Sequence, residues 1–196
     1  MIVKTRNATP QRRRFDPDRR MRIAAAAVDV VSKWGVEGLT HRRVAAAARV
    51  PLGSMTYHFK SLEDLLAVAI ELAAARNTES WQQWSRNLPA NADLPEQLTA
   101  LLVDVFSSKE RNRSVVQVEL YLAAMRRPAL RPASVAWGRV VFDALVKHTD
   151  PDTARALSLM LEGLSNESLV AGKPPPRAEC LAMFRRVEAA KRRNGA

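Results

Sequence analysis

Residues 38–66 read GLTHRRVAAAARVPLGSMTYHFKSLEDLL, and the succession of short helical pieces within them decides the fold. Thr40 is a residue type that caps helices, and behind it His41–Ala48 turns Val44, Ala45 and Ala48 to one side. A second short helix is expected from about Leu52 to Phe59. Ser61, three residues before Asp64, has the spacing of a capping box and opens a long helix continuing to about Arg86, roughly 35–40 Å at ~1.5 Å per residue. Upstream, Asp16-Pro17-Asp18 offers an N-cap carboxylate, a proline at the first helical position and acid in the first turn. Ile23, Ala27, Val30, Val31 and Trp34 then recur at helical spacing until Gly35 ends the helix.

Three short helices with a tight turn between the second and third suit a helix-turn-helix, whose second member lies in the DNA major groove while the first braces it. Ala45, Ala46, Ala47 and Ala48 are small enough for close helix crossing. In Leu52–His58 small and hydroxylic side chains permit close approach to base edges, and Ser54 and Tyr57 can bond phosphate.

Charge follows the same division. Of 196 residues, 31 are Lys or Arg and 20 Asp or Glu, a net charge of +11. Residues 1–60 hold 13 of the bases against 4 acids, while the remainder is near neutral. Codon bias accounts for Arg exceeding Lys; it does not account for the asymmetry, which is that of a polyanion-binding head on a neutral body. Residues 1–15, with Arg12-Arg13-Arg14, are expected to form a flexible basic arm.

Beyond residue 61 the chain reads as helix throughout, so the fold class is all-α. Leu94, Leu98, Leu101, Leu102 and Val105 mark a helix near 94–107. Val115, Val118, Leu122 and Met125 mark another, stopped by Pro128. Trp137, Val140, Val141, Ala144, Leu145 and His148 line a helix near 133–148. Asp150-Pro151-Asp152 begins the next, which ends at Gly172, and a last helix covers about 177–190. The expected division is an arm over 1–15, a helix-turn-helix domain over 16–60 and a larger helical domain over 61–196.

Other chemistry is thin. The single cysteine, Cys180, forms neither an intrachain disulfide nor a zinc cluster, and a reducing cytoplasm is the expected setting. His41, His58 and His148 lack metal-ligand spacing, Gly163-Leu164-Ser165-Asn166 is no nucleophile elbow, and P-loop and dinucleotide motifs are absent. No secretory h-region or membrane-length apolar run occurs. The expectation is no enzyme, no metal, no cofactor and no membrane.

Gly38-Leu39-Thr40, Val44-Ala45, Ala48, Val50, Gly53, Tyr57-His58-Phe59 and Ser61 leading to Leu65-Leu66 resemble the N-terminal signature of the TetR family of bacterial transcription regulators. The resemblance covers residues 18–66, and beyond them it is architectural. It implies that Thr40 is a phosphate-contacting cap and that Arg42 and Arg43 reach phosphate or a base. It also implies that Leu52, Gly53, Ser54 and Thr56 meet bases, and that Tyr57, His58 and Lys60 meet the DNA backbone. Two positions depart from the family pattern: Leu62 stands where a lysine is usual, and Arg49 where the turn usually has glycine.

The resemblance further implies a homodimer on a near-palindromic double-stranded operator, released by a small-molecule effector bound in the body. Trp81, Trp84, Phe106, Tyr121, Met125 and Trp137 are candidates for the effector pocket. Broad apolar faces on 133–148 and 152–171 suggest a dimer interface with Val140, Val141, Leu145, Leu157, Met160, Leu161 and Leu164. The rival readings are a non-specific nucleic-acid-binding protein, which leaves the neutral body unexplained, and a small-molecule-binding helical protein whose basic head is incidental.

Overall fold

The computed structural model describes residues 18–107 and 110–194, with side chains over 18–104 and 111–190. The basic arm and the Asp16-Pro17 pair lie outside the described residues. Within them the chain forms α1 (Arg19–Trp34), α2 (His41–Ala48), α3 (Gly53–His58), α4 (Leu62–Asn87), α5 (Leu94–Ser107) and α6 (Glu110–Arg126). A 3₁₀ turn at Pro128–Leu130 precedes α7 (Arg131–Leu145), α8 (Pro151–Ala171) and α9 (Arg177–Asn194). The all-α expectation holds: no strand occurs among the described residues.

The boundary chemistry explains why these elements stop and start where they do. Thr40 Oγ1 accepts the Arg43 amide at 3.2 Å and Ser61 Oγ the Asp64 amide at 3.0 Å. Asp64 answers by accepting the Lys60 amide at 3.0 Å, a reciprocal clamp on the corner between α3 and α4. Asp150 accepts the Thr153 amide at 2.9 Å with Pro151 at the first position of α8. Gly35 (φ +70) and Gly172 (φ +69) close α1 and α8 in the left-handed region. At the start of α1 the helical ladder begins with the Arg22 amide on the Asp18 carbonyl, which puts Asp18 at the N-cap position.

Two apolar clusters organise the molecule. One centres on Ile23, Val30, Val44, Met55, Phe59 and Leu65 of the head, and continues into Val116, Leu120 and Ala123 of α6 and Trp137 of α7. The other joins Leu98, Leu145, Leu157, Cys180 and Phe184 from α5, α7, α8 and α9. Body helices therefore complete the core of the head, and α4 runs past both.

Several expected faces are rotated. On α6 the buried residues are Val116, Leu120, Ala123 and Ala124, whereas Leu122 and Met125 are exposed. Apolar residues occur around the whole of that helix, so spacing gave two nearly equal stripes and packing against α1 and α8 chose the other. Leu145 and Leu157 are fully buried and Leu161 nearly so, all within the one chain. They have no surface left for a partner, because α5 and α9 cover the faces read as a dimer seam. Met160, Leu164 and Val141 pack half-buried on the same core. Trp137 is likewise interior, with 1% of its surface exposed.

Candidate functional site

The head presents α3 outward. Met55 and Phe59 anchor it inward, while Leu52 is half-exposed and Tyr57 is 80% exposed. A Cβ at Gly53 would meet nothing within 4 Å, so the glycine leaves open space on the outer side of the helix. Thr56 Oγ1 donates to the Gly53 carbonyl (3.3 Å), and the Tyr57 and His58 rings meet edge-on at 5.0 Å. Ser54 and His58 are half-buried, whereas Lys60 and Arg42 are exposed.

Arg43 differs from Arg42. Its Nη1 donates to the Gly38 carbonyl at 2.7 Å and its guanidinium lies 5.6 Å from the Trp34 ring, so it braces the turn between α1 and α2. The two departures from the family pattern also find a place. Arg49 is left-handed (φ 54, ψ 46), the conformation for which glycine would be the unstrained residue, and its amide bonds the Ala45 and Ala46 carbonyls. Leu62 packs half-buried on the head core, which leaves that position without a charge for phosphate.

A cavity of about 380 Å³ opens in the body between α4, α5, α6, α7 and α8. Its apolar walls include Trp81 and Trp84, whose rings meet edge-on at 5.4 Å, together with Leu101, Leu102, Val141 and Leu161. Trp84 is backed by His148, whose Nε2 lies 2.8 Å from Ser85 Oγ. The polar wall holds Asp104, Glu162, Gln117 and Arg113, the last donating to Ser80 Oγ at 2.9 Å. Asn77, 3% exposed, adds an amide nitrogen without a hydrogen-bond partner.

The six aromatic and methionine candidates do not converge. Trp81 and Trp84 line this cavity. Tyr121 and Met125 instead flank a separate open recess between α6 and α7, and Trp137 is core. The Phe106 side chain lies outside the described residues. Tyr121 still touches the main site through Gln117, which donates to its hydroxyl at 2.9 Å. Burial pushes the Tyr121 phenol above its ordinary value; the Gln117 bond opposes that rise and the nearby Glu162 carboxylate adds to it. The sequence reading missed the polar wall. Asn77 had a signal, since it continues the inward stripe Leu66, Ala69 and Ala73 at three- and four-residue spacing.

An outward α3 braced by α2, on a helical body with an internal cavity of mixed polarity, defines a helix-turn-helix DNA-binding protein of the bacterial regulator type. Comparison with known families gives the narrower assignment. "Bacterial regulatory proteins, tetR family" matches residues 23–77, and "Tetracyclin repressor-like, C-terminal domain" matches residues 93–190. Among solved structures, SCO1917, a member of the TetR family from Streptomyces coelicolor A3, is 40% identical over 87% of this chain and 98% of its own, with a TM-score of 0.71. SCO7518 from Streptomyces coelicolor A3(2) is 36% identical over 87% and 98%, at 0.73. The multidrug binding protein EbrR, complexed with ethidium, is 39% identical over 88% and 99%, at 0.72. No curated protein sequence matches the chain at a significant level. The chain belongs to the TetR family of transcriptional regulators.

Among the described residues no helix is long and apolar enough to cross a membrane, and no group of three or more His, Cys, Asp or Glu side chains is placed to hold a metal ion.

Proposed function

We propose that this regulator is a ligand-released repressor that binds a near-palindromic operator as a homodimer. The observation carrying this reading is that one helix serves both sites. α4 begins at the Ser61 clamp beside α3 and, 26 residues and about 39 Å later, ends beyond Trp81 and Trp84 in the cavity wall. A ligand seated against those indoles would therefore press on the element that carries the head. A coupling of about 1–3 kcal/mol, a 5–150-fold change in DNA affinity, suffices for regulation.

On the head, the proposed contacts are Leu52, Gly53, Ser54 and Thr56 to bases, and Thr40, Arg42, Tyr57, His58 and Lys60 to the DNA backbone. Arg43 acts chiefly as a brace, given its bond to Gly38. For dimerisation, Leu159 (51% exposed) and Val170 (91%) leave apolar surface on α8 for a partner, which replaces the buried Leu145 and Leu157 in the proposed interface. Two-fold pairing would set the α3 helices about 34–36 Å apart, one turn of DNA.

The effector class we propose is an aromatic cation. The indole pair supplies aromatic faces and edges, and Glu162 supplies a carboxylate on the opposite wall. EbrR, 39–40% identical across the overlap in its several complexes, has been solved with imidazole and with proflavin, ethidium and malachite green, the last three aromatic cations. Footprinting on the DNA around its own gene, with sedimentation of the protein alone, tests the DNA half of the proposal. The expected result is a dimer protecting two half-sites about one turn apart. A monomer, or salt-sensitive coverage of any DNA without a footprint, would overturn it in favour of non-specific binding.

A further inference from the structure

The head is held to the body at a second place besides α4. α6 packs along α1, and midway along it Glu119 Oε2 accepts the Val36 backbone amide at 2.9 Å. Val36 lies in the turn between α1 and α2, the turn that ends at the Thr40 cap. Gly35, beside it, makes room for the carboxylate: a Cβ there would lie 2.9 Å from Oε2 and 3.1 Å from Oε1. A few residues on, Arg127 Nη2 meets Glu37 Oε1 at 3.3 Å, a second and more exposed tie to the same turn.

Helix electrostatics alone would not put Glu119 here. It sits at the C-terminal end of α1, where the helix dipole disfavours negative charge. Its use is as acceptor for one particular amide. The other side of α6 faces the cavity, with Arg113, Ser114 and Gln117 in its wall. Gln117 and Glu119 are two residues apart, about 200° around the helix, so α6 is a rigid rod with the cavity on one side and the head on the other.

We propose that Glu119 is a positioning residue for regulation: its bond to Val36 sets the angle of the α1–α2 turn, and a displacement of α6 by a cavity ligand reaches the DNA-reading head through it. This rests on the ligand-released reading above, and adds to α4 a second connection, through α6, in which the Val36–Glu119 hydrogen bond is the contact to test.

The test uses the full chain, the DNA fragment protected in footprinting, and proflavin as the probe. Glu119→Ala should bind proflavin like the wild type, read by tryptophan quenching, and should lose most of the proflavin-driven change in DNA affinity. Glu119→Gln should keep that change, because its amide oxygen accepts the same N–H. Equal responses of Glu119→Ala and wild type would overturn the proposal, as would a Glu119→Gln as uncoupled as the alanine variant. If Glu119→Ala does not fold, Glu119→Asp carries the test: the shorter carboxylate should uncouple the protein, and an unchanged response overturns the proposal. If proflavin leaves wild-type DNA binding untouched, the effector reading fails separately. Ligand-free DNA affinity then decides, expected about tenfold weaker for Glu119→Ala, the size of one hydrogen bond, and unchanged for Glu119→Gln; equal affinity for all three overturns the proposal.

Discussion

The head and the body of this protein are both helical, yet they are built under opposite constraints. In the proposed reading the head places one six-residue helix, α3, against DNA, and nearly every position has a local reason: a cap at Thr40, a left-handed turn at Arg49, an anchor at Met55 and Phe59, a clamp at Ser61 and Asp64. The body must shape a cavity between five helices, and that requires apolar residues on several faces of each helix and polar residues at a few inward positions. An outward helix is specified locally, whereas a space between helices is specified by elements far apart in the chain.

The largest effect should come from breaking the head at its anchor. Phe59, 1% exposed, holds α3 to α4 and lies 4.9 Å from the Arg20 guanidinium. Phe59→Ala should cost about 3–5 kcal/mol and abolish DNA binding, measured by thermal melting and a DNA titration. Loss of stability with DNA affinity retained would mean that α3 is positioned some other way.

The next pair separates the two regions. Tyr57→Ala removes an exposed side chain and should leave stability within about 0.5 kcal/mol, weaken DNA binding about tenfold, and leave proflavin binding alone. Glu162→Gln should do the converse, weakening proflavin about tenfold while sparing ligand-free DNA binding. Anisotropy on labelled DNA and quenching of the tryptophans read the two properties independently. If either variant moved both affinities equally, the division between DNA-reading head and ligand-holding body would be wrong.

A smaller change is expected at the turn between α2 and α3. Arg49→Gly relieves a left-handed non-glycine residue and should stabilise the fold by about 1 kcal/mol, a rise in Tm of about 2–4 °C for a chain of this length. A fall in Tm would show that the Arg49 side chain contributes more than its backbone costs.

How much of this was legible follows from the same contrast. The boundaries of α2, α4 and α8 were readable because Thr40, Ser61 and Asp150 act on amides three residues away. The left-handed Arg49 was readable only through the family resemblance, which places glycine at that turn. The inward face of α6 was not, because Val115-Val116 and Leu122-Ala123 offer adjacent apolar stripes and only α1 and α8 distinguish them. The same ambiguity assigned Leu145 and Leu157 to a dimer seam when α9 covers them, and gathered Trp137 and Tyr121 into one pocket with Trp81. Glu119 carried no local signal at all: its partner Val36 lies 83 residues away.

Whether occupation of the body cavity is felt at α3 can be read in one titration. Proflavin is added to a complex of the protein with labelled operator DNA while tryptophan quenching and DNA anisotropy are recorded together. DNA should be released over the same proflavin concentrations at which Trp81 and Trp84 are quenched, and Glu162→Gln should shift both curves together. Saturated quenching with the DNA still fully bound would contradict that coupling.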